Sequence, residues 1–130
     1  MANENTTRIT EIGTVGVPVS DQDRSLAFYI ERLGFEKRLD VPFGEQRWIE
    51  VSPPGAATSI ALVAATSDVP AGVETGVRLT TTDAEADHAV LRGAGVDTDE
   101  DVTRMGPHVP PMFSLSDPDG NRLVVVERPA

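Results

Sequence analysis

Apolar and polar residues alternate along residues 12–20, so that Val15, Val17 and Val19 share one side of a half-buried strand. Ser20-Asp21-Gln22-Asp23 follows, and it predicts a helix start with Ser20 as the cap and an acid three residues on. The next apolar positions, Leu26, Tyr29, Ile30 and Leu33, form one helical face, and Gly34 closes the helix. Residues 35–41, 46–52 and 58–64 then predict three strands, with turns at Phe43-Gly44 and at Pro53-Pro54-Gly55. Residues 66–74 mix Ser, Asp, Pro and Gly and predict a linker.

The same order then returns. Residues 76–82 predict a strand, Thr82 and Glu85 a capping box, and Gly95 the end of a second helix. A strand is expected within residues 97–103, and two more at 112–116 and 121–128 around Asp117-Pro118-Asp119-Gly120. The segment VGVPVSD at 15–21 thus corresponds to VRLTTTD at 77–83. The expectation is one α+β domain over 1–130. It comprises two βαβββ modules (8–65 and 75–128, linker 66–74) whose mixed sheet curls around a cleft.

Composition narrows the partners. Twenty-one acidic against eleven basic residues leave a net charge of −10, which argues against nucleic acid and anionic membranes and suits a cationic ligand. The chain has no cysteine, so disulfides, thiolate nucleophiles and Cys metal sites are excluded. No apolar run approaches the ~20 residues of a membrane helix, and Met1–Thr7 lack the layout of a signal peptide. A cytoplasmic location is the expectation.

The stretches VSDQDRSLAFYIERLGF (19–35) and FSLSDPDGNRLVVVE (113–127) resemble the vicinal oxygen chelate superfamily of glyoxalases, extradiol dioxygenases and bleomycin-resistance proteins. With the second helix they span nearly the whole chain. The resemblance implies a divalent metal held by His, Gln or Glu, one on each of four strands. The corresponding positions here are Thr14, Ala61, Gly76 and Val124. Three of these offer no side-chain donor, and Thr14 offers only a neutral hydroxyl, so no metal or other cofactor is expected. The resemblance also implies a homodimer, with the cleft between subunits in the bleomycin-binding branch.

Strand alternation sets Trp48, Glu50 and Ser52 on the cleft side, opposite Ile49 and Val51. Trp48 could stack on a flat or cationic ligand. Glu50 could hold a cation, act as a general base with a raised pKa, or pair with Arg38, Arg78 or Arg122. Arg78 and Arg122 could each hold a carboxylate or phenolate, or an acidic side chain. Met112 and Ser114 share a face that could line the cleft. His88 matches the packed Leu26 in the repeat and reads as structural. His108 lies in a Pro-rich loop and is the candidate proton carrier.

A metal-independent small-molecule binding protein, for an aromatic or cationic ligand, is the favoured reading. A metal-free isomerase, cyclase or oxygenase using Glu50 or His108 is the runner-up. A lyase or dioxygenase with displaced ligands and a non-catalytic interaction module complete the alternatives.

Overall fold

The computed structural model describes residues 6–129. The elements run β1 (Thr14–Val19), α1 (Gln22–Glu31), β2 (Glu36–Phe43), β3 (Gln46–Ser52), β4 (Ser59–Ala64), β5 (Glu74–Thr81), α2 (Ala84–Gly93), β6 (Asp97–Thr98), β7 (Met112–Ser116) and β8 (Arg122–Glu127). This is the expected pair of βαβββ modules. They form two separate four-stranded mixed sheets instead of one curled sheet, ordered β1-β4-β3-β2 and β5-β8-β7-β6. In each, the first and last strands of the module pair in parallel and the rest antiparallel.

Both helices start one residue later than expected. Asp21 and Asp83 are the caps, each in extended backbone, and each accepts a bond from the amide three residues on, at 3.0 Å. A carboxylate is both an acceptor and a counter-charge for the helix N-terminus, and it displaces the preceding hydroxyl. Ser20 instead bonds Asp119 of the other module, and Glu85 pairs with Arg104. The ends match expectation. Gly34 and Gly95 take φ of 73° and 82°, and the amides of Phe35 and Val96 reach back to Tyr29 and Leu91. The buried stripe of α1 is centred on Ser25 and Tyr29, with Leu26, Phe28 and Leu33 half-buried beside it.

Several strands differ from their predicted bounds, and two of them also in pairing. The segment expected as a strand over 97–103 pairs only at Asp97 and Thr98, with an isolated bridge from Thr103 to Met112. Asp99 takes over the ladder's role there, its carboxylate accepting the Ser114 amide at 2.7 Å. Strand β5 begins at Glu74, two residues before its expected start, and is irregular between Glu74 and Arg78, where Gly76 has φ 74°.

A single apolar cluster joins the modules. Val17, Val19, Ile49, Val51 and Leu62 come from one sheet, Phe113, Leu115, Leu123 and Val125 from the other, and Tyr29 and Leu91 from the helices. These are the helix-packed faces of both sheets, so the opposite, open faces turn away from the shared core. The cross-module polar bonds gather on the β7–β8 turn. Tyr29 donates its hydroxyl to Asp117 at 3.0 Å. Burial, reinforced by that carboxylate, pushes the Tyr29 hydroxyl far above the phenol range and keeps it a donor. Asn121, fully buried, donates to the Pro18 carbonyl and to Asp117, and its oxygen accepts the amides of Gly72 and Val73. No helix among the described residues is long and apolar enough to cross a membrane.

Asn121→Ala should cost about 3 kcal/mol, since it leaves several buried partners unpaired. Urea denaturation should show the midpoint fall accordingly, and a loss within error of zero would contradict the linking role.

Candidate functional site

The open face of the first sheet carries the most organised group of polar and aromatic side chains. Trp48 and Glu50, two residues apart on β3, share that face as alternation requires. The indole N–H of Trp48 donates to Glu50 Oε2 at 2.8 Å, and the Ser59 hydroxyl of neighbouring β4 donates to Oε1 at 2.8 Å. Both carboxylate oxygens are therefore engaged by neutral donors. The bond from Trp48, then that from Ser59, then the charge of Arg38 hold the Glu50 carboxyl below its ordinary range.

The β2–β3 hairpin extends this face. Leu39 lies opposite Glu50, Val41 opposite Trp48, and Phe43 closes the row. Phe43 stands edge-on to Trp48 with ring centroids 5.8 Å apart. Leu39, Val41 and Phe43 are 39%, 40% and 65% exposed, an apolar strip left open beside the indole. The strip escaped the sequence reading because β2 was expected to end at Val41. The Leu39-Val41-Phe43 alternation was the available signal. Ser59 was missed because its role depends on strand pairing.

The second sheet's open face holds Met112, Ser114 and Arg122 together with Val124 and Val126, through the β7–β8 register. Arg122 is engaged by two carboxylates, Glu74 at 3.2 Å and Asp99 at 3.4 Å. Arg78 lies on edge strand β5 opposite Val124 and, among the described residues, donates only to the Gly76 carbonyl. His108 is exposed in the 106–111 loop beside Arg104 and Glu127. His88 is structural, bonded through Nε2 to the Asp99 carbonyl at 2.8 Å and packed edge-on against Phe113. Ser52, expected at the cleft, is wholly buried.

The structure thus brings Trp48 to Glu50, and Met112 and Ser114 to Arg122, on different sheets. It does not bring Glu50 to His108. Among the described residues Glu50 forms no ion pair with Arg38, Arg78 or Arg122. Of the three readings of Glu50, the general base with a raised pKa is not met: the pKa is lowered, because two hydrogen bonds to the charged form outweigh burial.

Comparison with known proteins places this architecture. The sequence model of the Glyoxalase/Bleomycin resistance protein/Dioxygenase superfamily matches residues 11–125. The chain belongs to that superfamily. It is 35% identical to TnmS3, an antibiotic binding protein from Streptomyces sp. CB03234, over 96% of this chain and all of that one, with a TM-score of 0.83. A superfamily member from Sphaerobacter thermophilus DSM 20745 is also 35% identical, over 94% of this chain and all of its own, with a TM-score of 0.85. The uncharacterized protein YetH of Bacillus subtilis is 44% identical over 55 residues, 42% of this chain and 46% of YetH.

The metal that many glyoxalase-superfamily proteins carry does not fit the residues present. Gly76 sits in the irregular start of β5 at φ 74°, a conformation that strains any ligand-bearing side chain. Ala61 is buried, and Val124 offers no donor. Among the described residues no three His, Cys, Asp or Glu side chains converge on one point.

Since the folded pKa of Glu50 is depressed below 4.5, its bonds stabilise the fold above that value and are lost as acidification passes through the lower folded value. The emission of Trp48, the single tryptophan, should change with a midpoint below 4.5, and Glu50→Gln should remove that step. A midpoint at or above 4.5 would contradict the hydrogen-bonded carboxylate.

Proposed function

We propose that this chain is a metal-independent binding protein for a small organic ligand, which it holds on its open faces without turning it over. The observation that carries this reading is the fixed indole of Trp48. Its N–H is tied to Glu50, and Phe43, Val41 and Leu39 lie beside it on an uncovered face. A ring held in one orientation stacks on a flat ligand at little entropic cost. The likeness to an antibiotic binding protein over nearly the full chain supports the same reading.

The enzymatic alternative lacks a matching observation. A carboxylate with a depressed pKa is a poor general base near neutral pH. His108 lies on the other module, in the loop before β7. Of the two candidate oxyanion holders, Arg122 is already engaged by Glu74 and Asp99, and Arg78 lies on the other sheet from Glu50.

The binding cleft closes between two copies of the chain in this reading. The open faces turn away from the shared core, so one chain presents two half-sites. A two-fold pair would set the Trp48 face of one copy against the Met112–Ser114–Arg122 face of the other, covering the apolar strip.

Titration with flat, polycyclic or cationic antibiotics should quench Trp48 emission for at least one ligand, which is recovered chemically unchanged. Calorimetry should show Trp48→Ala weakening that ligand roughly tenfold or more. Affinity untouched by the substitution, or conversion of the ligand, would overturn the proposal. In sedimentation velocity the wild type should run as a dimer and Phe43→Glu as a monomer; a monomeric wild type would remove the shared cleft.

A further inference from the structure

A second recess lies along the seam between the modules, and its β1–β5 end borders the open faces through Ser59 and Arg78. Two cavities of about 390 and 400 Å3 share Phe35, Pro53, Leu79 and Thr80 in their walls and so form one groove. The physical origin of the groove is the placement of the cross-module bonds. Ser20, Arg24, Tyr29 and the Pro18 carbonyl all meet residues of the 117–121 turn. Beyond that turn, β1 and β5 are both sheet edges, and no hydrogen bond joins them among the described residues. Val15 of β1 and Val77–Thr80 of β5 line the groove between them.

The lining is mainly apolar at the β1–β5 end, through Val15, Val77, Leu79, Phe35 and Pro53, while toward α2 the charged Glu31, Arg32 and Asp87 join Leu91 and Val125. At the β5 end Arg78 is the single charged side chain in the wall. Its guanidinium donates to one backbone carbonyl, 3.1 Å away, and makes no ion pair among the described residues. Arg122, on the adjacent strand, pairs with two carboxylates. Arg78 therefore keeps most of its five donors available beside an apolar wall, in a chain with twenty-one acidic residues. An arginine fork at the end of an apolar groove matches a ligand with an anionic head and an apolar body.

We propose that the seam groove is a second binding site, for an amphipathic organic anion such as an aryl or medium-chain carboxylate. The head pairs with Arg78, and the body lies between Phe35, Pro53 and Leu79. The site adjoins the Trp48 face through Ser59, but it does not depend on the function assigned to that face.

The probe is 1-naphthoate, titrated into 15N-labelled full-length protein. Amide shifts should cluster at Phe35, Leu79, Thr80 and Leu91 and leave the Trp48 indole N–H in place. Arg78→Gln should weaken binding roughly fivefold or more, and the neutral 1-naphthamide should bind correspondingly worse than the acid. Leu79→Trp, which fills the narrow point shared by both cavities, should abolish binding. No binding, shifts centred on Trp48, or a dissociation constant indifferent to both the Arg78 substitution and the loss of the carboxylate would overturn the assignment. Should Leu79→Trp fail to fold, the Arg78→Gln and naphthamide comparisons decide the question alone.

Discussion

The buried polar knot at the β7–β8 turn organises this protein. Asp117 receives the Tyr29 hydroxyl, the Asn121 amide group and the backbone amides of Asp119 and Asn121. Asn121 in turn holds Pro18 of β1 and the amides of Gly72 and Val73. One turn of five residues, 117–121, thereby ties together a helix, the first strand, the inter-module segment and the last hairpin. Buried groups satisfied on every side specify a single arrangement, because any other docking of the modules would leave several unpaired.

That docking has two consequences for function. It places the helix-packed faces of both sheets in one core, so the open faces look outward, one with Trp48 and Glu50 and the other with Met112, Ser114 and Arg122. It also concentrates the cross-module bonds at one end, so the seam between β1 and β5 stays open enough to form a groove. The outward faces and the seam are different surfaces made by the same constraint.

The chemistry of the first open face follows from what surrounds Glu50. Two neutral donors leave its charge in place and fix the indole beside it. The result is an oriented ring next to a stable negative charge, bordered by apolar side chains. Such a surface suits recognition better than proton transfer, where a pKa close to the working pH is needed.

Much of this was legible from residue order. The order of elements, the glycine stops at Gly34 and Gly95, the inward Ile49 and Val51 and the packed Phe113 and Leu115 all follow from local periodicity and backbone preference. The helix starts lie one residue past the expected caps because Ser20-Asp21 and Thr82-Asp83 both offer adjacent caps, and the carboxylate, with its counter-charge for the helix N-terminus, takes the role. Non-local pairing alone determined the rest. Ser59 joins Glu50 only through the β3–β4 register, adding to the Trp48 bond that lowers the Glu50 pKa. Likewise, a sequence can show that Trp48 and Arg122 alternate outward, but not whether two sheets face each other. That depends on which faces share a core, and here the Asp117–Asn121 knot set the helices inward and the open faces apart.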